Sequence, residues 1–391
     1  MQSRTWFTSL ALVGALAFSS AAAAREIVVG QTMPYSGNAS MASAIGKLHQ
    51  QYFKWINANG GINGHTVRFV TLDDGMSPGK SLEQTRRLVE SEKVEVVFAP
   101  YGTAPSLATR RYLNQKMIPQ LFVVSGVSAW ADPAFKYSIG WMPNYSIETS
   151  VHAQLIQKNV PDPKIAVLYQ NDDFGKEMLQ GIRRALGPNA DKMIVATASY
   201  ESADATVNSQ VAQLKASGAN VLLNYSLPRY AAQAIRNVDE SGWKPFHILS
   251  QTSTSIAQVM KPVGFDKAQG LVAAQYNKDA TDARWKDDAG VREFREWMTK
   301  HYPEGDQNDA FNVFAYNLAK SFEQVLRQCG NDFSANNIMK QAMSLDLELN
   351  MLMPGIKVKT GANDPLPIQE MQPIRFTGQN WVPLGGVVSG K

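Results

Sequence analysis

Two pairs of neighbouring carboxylates, Asp73-Asp74 and Asp172-Asp173, and the segment Gly126-Val127-Ser128-Ala129-Trp130 hold the residue types nearest to acid–base or nucleophilic chemistry. Adjacent side chains point in different directions, and both acidic pairs fall where a strand gives way to a turn. Turn formation and helix N-terminal charge account for them. Ser128 lacks the second glycine of a nucleophile elbow, and Trp130 crowds the sharp turn an elbow requires. The single cysteine, Cys329, reads as a packed or half-exposed thiol with no activating base beside it in sequence, and it rules out an intramolecular disulfide framework. His49, His65, His152, His247 and His301 are too scattered to place two imidazoles on one helical face around a metal. Gly60-Gly61-Ile62-Asn63-Gly64 follows a helix, where a dinucleotide fingerprint must follow a strand, and reads as a helix stop. No catalytic residue, metal or cofactor is expected.

A different chemistry is written in the loop Pro100-Tyr101-Gly102-Thr103-Ala104-Pro105. A strand ends at Ala99 and a helix is expected from about Pro105 to Lys116, so hydroxyl and backbone N–H groups gather at a helix start, which suits an anion such as a carboxylate. Thr103 capping its own helix is the plainer alternative. Ser125-Gly126-Val127-Ser128 offers a second set of polar groups at the neighbouring strand end. Tyr101, Trp130, Trp141 and Tyr145 add aromatic surface to the same region.

The elements that position these loops alternate along the chain. Strands at Ile27–Gly30, 67–72, 94–98, 119–124, 165–169, 193–198, 221–225 and 246–249 are separated by periodic apolar helices, the pattern of parallel sheets covered on both faces. Two such series meet near 140–147, and after about residue 276 the pattern becomes mainly helical. Ligands of open parallel sheets sit outside the carboxyl ends of the strands, so the turn after Gly30 and the loops 100–103, 125–130, 171–174, 226–228 and 250–253 are where function is sought.

Composition sets the outer bounds. Of 391 residues 44% are hydrophobic, which excludes disorder; 38 Lys+Arg against 34 Asp+Glu leave +4, too slight a charge to point to nucleic acid. Arg4, the apolar run Trp6 to Phe18 and the small residues up to Ala24 read as a cleaved secretory signal peptide, 1–24; the run is short of the roughly 20 residues a bilayer-spanning helix needs. Export without disulfides points to a periplasm.

Ile27-Val28-Val29-Gly30 with Met33-Pro34-Tyr35-Ser36-Gly37, the run Ile56-Asn57-Ala58-Asn59-Gly60-Gly61-Ile62-Asn63-Gly64, and Asp73-Asp74-Gly75 with Pro78 resemble the periplasmic leucine/isoleucine/valine-binding proteins of ABC transporters. Ile165 to Gly175 and Ala219 to Gln233 agree, so the resemblance spans nearly all of the mature chain. It implies a type I binding-protein fold: α/β, two doubly wound, Rossmann-like lobes with parallel central sheets, joined by a three-segment hinge and closing on a ligand. The lobes are expected at 25–143 with 277–352, and at 144–276 with 353–391.

The resemblance further implies that Tyr101, Gly102 and Thr103, with Gly126 and Ser128, hold the ligand's carboxylate and amino group. Phe174 is the aromatic wall, Leu227 lies near another contact, and Thr252 stands where amino-acid binders place an acid for the ligand ammonium. The loop Ser250-Gln251-Thr252-Ser253 carries no carboxylate, so a standard amino acid requires Asp172, Asp173 or Glu148 to replace it, and an aromatic or aliphatic acid is the alternative. The implied function is that of a monomeric periplasmic receptor, not an enzyme, which captures a small carboxylate-bearing solute and hands it to a membrane permease. A sensor reporting to a membrane receptor is the runner-up, and a secreted enzyme of the same fold the third reading.

Overall fold

The structure is a computed structural model and describes residues 24–389. Apart from Ala24, the expected signal segment lies outside these residues. β1 (Glu26–Met33), α1 (Ser43–Ala58), β2 (Thr66–Asp73), α2 (Pro78–Glu90), β3 (Val96–Phe98), α3 (Thr103–Gln115), β4 (Gln120–Val123) and β5 (Ser138–Gly140) build a first unit. Its five strands are parallel in the order β2-β1-β3-β4-β5. Strands β1, β3, β4 and β5 are largely buried, as parallel strands covered on both faces must be, while the edge strand β2 is half-buried.

The second series runs α4 (Tyr145–Asn159), β6 (Ile165–Gln170), α5 (Asp173–Leu186), α6 (Ala190–Met193), β7 (Ile194–Tyr200), α7 (Asn208–Ala216), β8 (Val221–Tyr225), α8 (Pro228–Glu240), β9 (Phe246–Leu249), α9 (Lys261–Val263) and β10 (Val272–Gln275). The chain then forms α10 (Ala289–His301), α11 (Ala310–Gln328) and α12 (Ala335–Ala342), a short ribbon of β11 (Asp346–Leu347) and β12 (Val358–Lys359), and finally β13 (Glu370–Thr377), β14 (Asn380–Pro383) and β15 (Val388–Ser389). The second sheet has the order β14-β13-β10-β9-β8-β6-β7, parallel from β7 to β10 and antiparallel beyond, with β15 also paired to β13. The late helix α11 packs back on α1 of the first unit, and β13 closes the second sheet.

The chain passes between the two units at three places, and these meet. Asn277 bridges Leu352 in antiparallel fashion, the Lys278 N–H donates to the Met351 carbonyl at 2.9 Å, and the Met353 N–H donates to that of Tyr276 at 2.8 Å. Trp141, just past β5, lies 6.0 Å from the Tyr276 ring and donates its indole N–H to Ser321 Oγ at 3.1 Å. The polar backbone of these extended crossings is thus satisfied within the protein.

Two local details depart from the sequence reading. Helix α3 starts at Thr103, ahead of Pro105, because Gly102 adopts φ +92°, which turns the chain out of the strand at once. The Gly60–Gly64 turn is more than a helix stop: Asn63 Nδ2 donates to the carbonyls of Arg327 and Gly330, fastening the turn to the end of α11. In the first core Phe322 of α11 stacks on Phe98, ring centroids 4.3 Å apart and 11° from parallel, with Phe53 edge-on to it. Phe322→Ala should lower the unfolding free energy by about 3–5 kcal/mol, the cost of the lost burial plus the cavity, in urea titrations followed by tryptophan fluorescence.

Candidate functional site

In each parallel sheet the strand order reverses once, between β1 and β3 in the first and between β6 and β8 in the second. At such a switch point the crossovers leave on opposite faces and a crevice opens at the strand ends. The loops after β3, β6 and β8 line one cavity between the two units, of about 920 Å³ counted with its opening to solvent. Tyr101, Gly102 and Thr103 come from the first sheet, Gln170, Asp172, Phe174, Leu227, Gln251 and Thr252 from the second, and Tyr276 to Asp279 from the crossing segment.

The first-sheet wall is a cluster of donors. No side chain caps α3, and among the described residues the backbone N–H groups of Thr103 and Ala104 have no acceptor. Thr103 Oγ1 lies 2.8 Å from Ser125 Oγ and 3.3 Å from the Tyr145 hydroxyl, so Thr103 does not cap its own helix but joins a hydroxyl cluster. Burial pushes the Tyr145 phenol up to about 12, which keeps it a neutral donor. From the opposite wall Gln251, 6% exposed, presents an Nε2 with no hydrogen-bond partner among the described residues.

Charge is arranged differently. Lys278 lines the cavity, but its Nζ is held 2.8 Å from both Asp288 oxygens and from the Asn350 carbonyl. An anion here must therefore rely on neutral donors. Two carboxylates also reach the wall, and burial raises the pKa of both. Asp172 accepts from the Gly175 N–H at 3.1 Å, capping α5, and from Gln170 Nε2 at 2.6 Å. Asp279 accepts from the Ile256 N–H at 3.0 Å and from the Thr281 N–H at 2.8 Å. The remainder is apolar and aromatic: Phe311 and Phe314 from α11, Phe174 edge-on to Tyr145 at 5.2 Å, Met76, Met142 and Val124.

Of the residues expected from sequence, Tyr101, Gly102, Thr103, Phe174, Leu227 and Thr252 line the cavity, and Gly126 and Ser128 do not. A Cβ on Gly126 would fall 2.4 Å from the Pro143 carbonyl and 2.8 Å from the Tyr145 ring, so this glycine lets the chain pass beneath α4. Ser128 opens a short 3-10 turn and is exposed; Ser125 is the hydroxyl of that loop that reaches the Thr103 cluster. Trp130 and Trp141 are core residues, the latter at the crossing. The loop 250–253 lacks a carboxylate, yet the cavity does not, since Asp172 and Asp279 are in its wall; Asp173 is outside it. Sequence reasoning missed Asp279, Phe311 and Phe314, whose positions in the crossing segment and in a core-like helix carried no signal of a site.

A family model described as periplasmic binding protein matches residues 26–380. The chain belongs to the periplasmic binding protein family. Within it, "Leu/Ile/Val-binding protein homolog 7" of Brucella abortus (strain 2308) is 23% identical over 364 residues, covering 90% of this chain and 89% of the relative. The structure of a branched chain amino acid ABC transporter from Thermus thermophilus with bound valine superposes with TM-score 0.83 at 15% identity, covering 94% of this binding protein and 97% of that chain. A solute binding protein from R. palustris in complex with 4-hydroxybenzoate superposes at TM-score 0.78 and 14% identity, over 93% and 96%. This binding protein thus has the type I fold of the leucine/isoleucine/valine-binding group.

Behind Gln251 the binding protein buries a titratable pair. Glu148 Oε1 accepts the Gln251 N–H at 2.7 Å, and His152 Nε2 lies 3.9 Å from that oxygen. Burial pushes the Glu148 carboxyl up to about 7 and the His152 imidazole down to about 3, so both are neutral in mildly acidic solution. A raised carboxyl pKa contributes stability that is full below the unfolded value of 4.5 and is lost as pH rises through about 7. Glu148→Gln should remove that loss: its stability relative to the parent should rise between pH 4.5 and 7, by at most about 1.4 kcal/mol per pH unit, in urea titrations at a series of pH values.

Proposed function

We propose that this protein is the solute-binding component of an ABC importer, exported to the periplasm through its segment 1–24, and that it captures a small carboxylate-bearing solute without transforming it. In this reading its lobes are 25–143 with 277–352, and 144–276 with 353–391, the protein acts as a monomer, and its closed form is what the membrane permease recognises. One observation carries the ligand class: donors from both sheets that have no partner among the described residues, the Thr103 N–H and Gln251 Nε2, face a single cavity. Buried donors left without acceptors are costly, and a carboxylate between the walls satisfies both sides at once, which favours the closed arrangement. The aromatic rings of Phe174, Phe311 and Phe314 suit an aromatic or branched apolar body, and Asp172 or Asp279 is placed to receive an ammonium if the ligand carries one.

A thermal-shift screen of amino acids against aromatic and aliphatic acids tests this, since a ligand of the native state raises the melting temperature. Carboxylates should stabilise the protein, their methyl esters should not, and the bound compound should be recovered unchanged. Turnover of the ligand, or equal stabilisation by acid and ester, would overturn the reading. Thr103→Ala should weaken carboxylate binding by about 1–3 kcal/mol in calorimetric titration, the worth of a hydrogen bond to a charged group.

A further inference from the structure

The cavity does not end at its aromatic wall. A second chamber, of about 820 Å³ including its open mouth, lies against it and shares Met76, Tyr101, Gln170, Leu227 and Phe311 with it. Its outer walls are the 37–42 loop on the first unit and residues 202–203 and 228–230 on the second. The mouth is tied across the two units, because Asn38 Nδ2 donates to the Ser202 carbonyl at 2.7 Å and Asn38 Oδ1 accepts from Arg229 Nη1.

Arg229 is what distinguishes this chamber. Its hydrogen bonds go to a neutral amide oxygen and, at 3.4 Å, to the Ala205 carbonyl, and it makes no ion pair among the described residues. The inner cavity's lysine is neutralised by Asp288, so Arg229 is the cation left for a ligand along this path. Guanidinium has five donors in a planar fork, enough to keep its present contacts and meet a carboxylate as well.

Between the two compartments stands Met76. Its backbone is in the left-handed region at φ 63°, a costly conformation for a residue other than glycine, and its N–H is fixed by Asp74 Oδ1 at 2.9 Å. A Cβ on Gly102 would fall 2.6 Å from Met76 Cε, so the thioether occupies space that only a glycine leaves open. A flexible, unbranched side chain held at a shared wall is suited to yield to a chain passing through.

We propose that the site is bipartite: an elongated ligand with acidic groups at both ends places one carboxylate among the Thr103 donors, passes Met76, and sets the other against Arg229. The substrate class is an α,ω-dicarboxylate with an apolar spacer. The inference rests on the carboxylate reading above and extends it past Met76.

Calorimetric titration of the full chain with adipate, suberate and sebacate against hexanoate, octanoate and decanoate tests it, with benzoate and leucine as short ligands confined to the inner cavity. At least one diacid should bind roughly tenfold or more tightly than its chain-matched monoacid, the range of a charge-assisted contact. Arg229→Gln should weaken diacids at least tenfold more than monoacids and so abolish that preference, whereas Arg229→Lys, which keeps the charge, should retain it. Asn38→Ala should weaken all ligands alike. Binding of a monoacid, benzoate or leucine without a diacid advantage overturns the bipartite site and leaves the carboxylate reading standing, as does an Arg229→Gln loss shared equally by both series. Failure of every carboxylate to bind overturns both.

Discussion

The N–H groups of Thr103 and Ala104, at the abrupt passage from β3 to α3, have no acceptor within the described protein, and much of the molecule is arranged around that deficit. A parallel strand that turns straight into a helix exposes the first amides of the helix, and water satisfies them while the crevice is open. Gly102, at φ +92°, makes the turn short enough for Thr103 to line the cavity, and Ser125 and Tyr145 surround its hydroxyl without occupying the helix start. Gln251 presents a donor without a partner among the described residues from the other side. The carboxylate reading rests on these unmet donors on opposite walls.

Those unmet donors have meaning only because two sheets approach one another with their switch points face to face. The seam of Tyr276, Asn277, Leu352 and Met353, with Trp141 against it, ties the units through satisfied backbone hydrogen bonds. Across the opening the ties are few and polar: Asn38 to Ser202 on one side, Gln258 to Asp309 on the other. Contacts of this kind exchange readily for water, whereas the seam and the aromatic core around Phe98 and Phe322 do not. A rigid seam and a polar rim suit a molecule whose opening and closing are decided by what lies between its walls.

The loops at strand ends were legible because alternating apolar periodicity locates strand termini, and the polar residues immediately after them must face the crevice. Tyr101, Gly102, Thr103, Phe174, Leu227 and Thr252 are of this kind, and all line the cavity. Gly126 and Ser128 sit on an equally plausible loop, yet the chain there dives beneath α4 and turns Ser128 to solvent, which depends on packing against Pro143 and Tyr145. Phe311 and Phe314 read as core residues of a long amphipathic helix; only its docking on α1 from far along the chain puts its first turn over the cavity. Asp279 carries no pattern either, because it follows a crossing segment whose partner lies some seventy residues later.

The alternation of strands and helices, the scarcity of cysteine and histidine, and the family resemblance are legible in the chain alone, because each is a property of residue type and local spacing. Only the folded chain shows which loops share a cavity, that Lys278 is neutralised by Asp288, and that Arg229 stands at the mouth without an acidic partner among the described residues. The physical reason is distance along the chain. Charge compensation and the closing of a cavity depend on groups brought together from separate crossovers, and spacing within one segment carries no record of what a remote segment will satisfy.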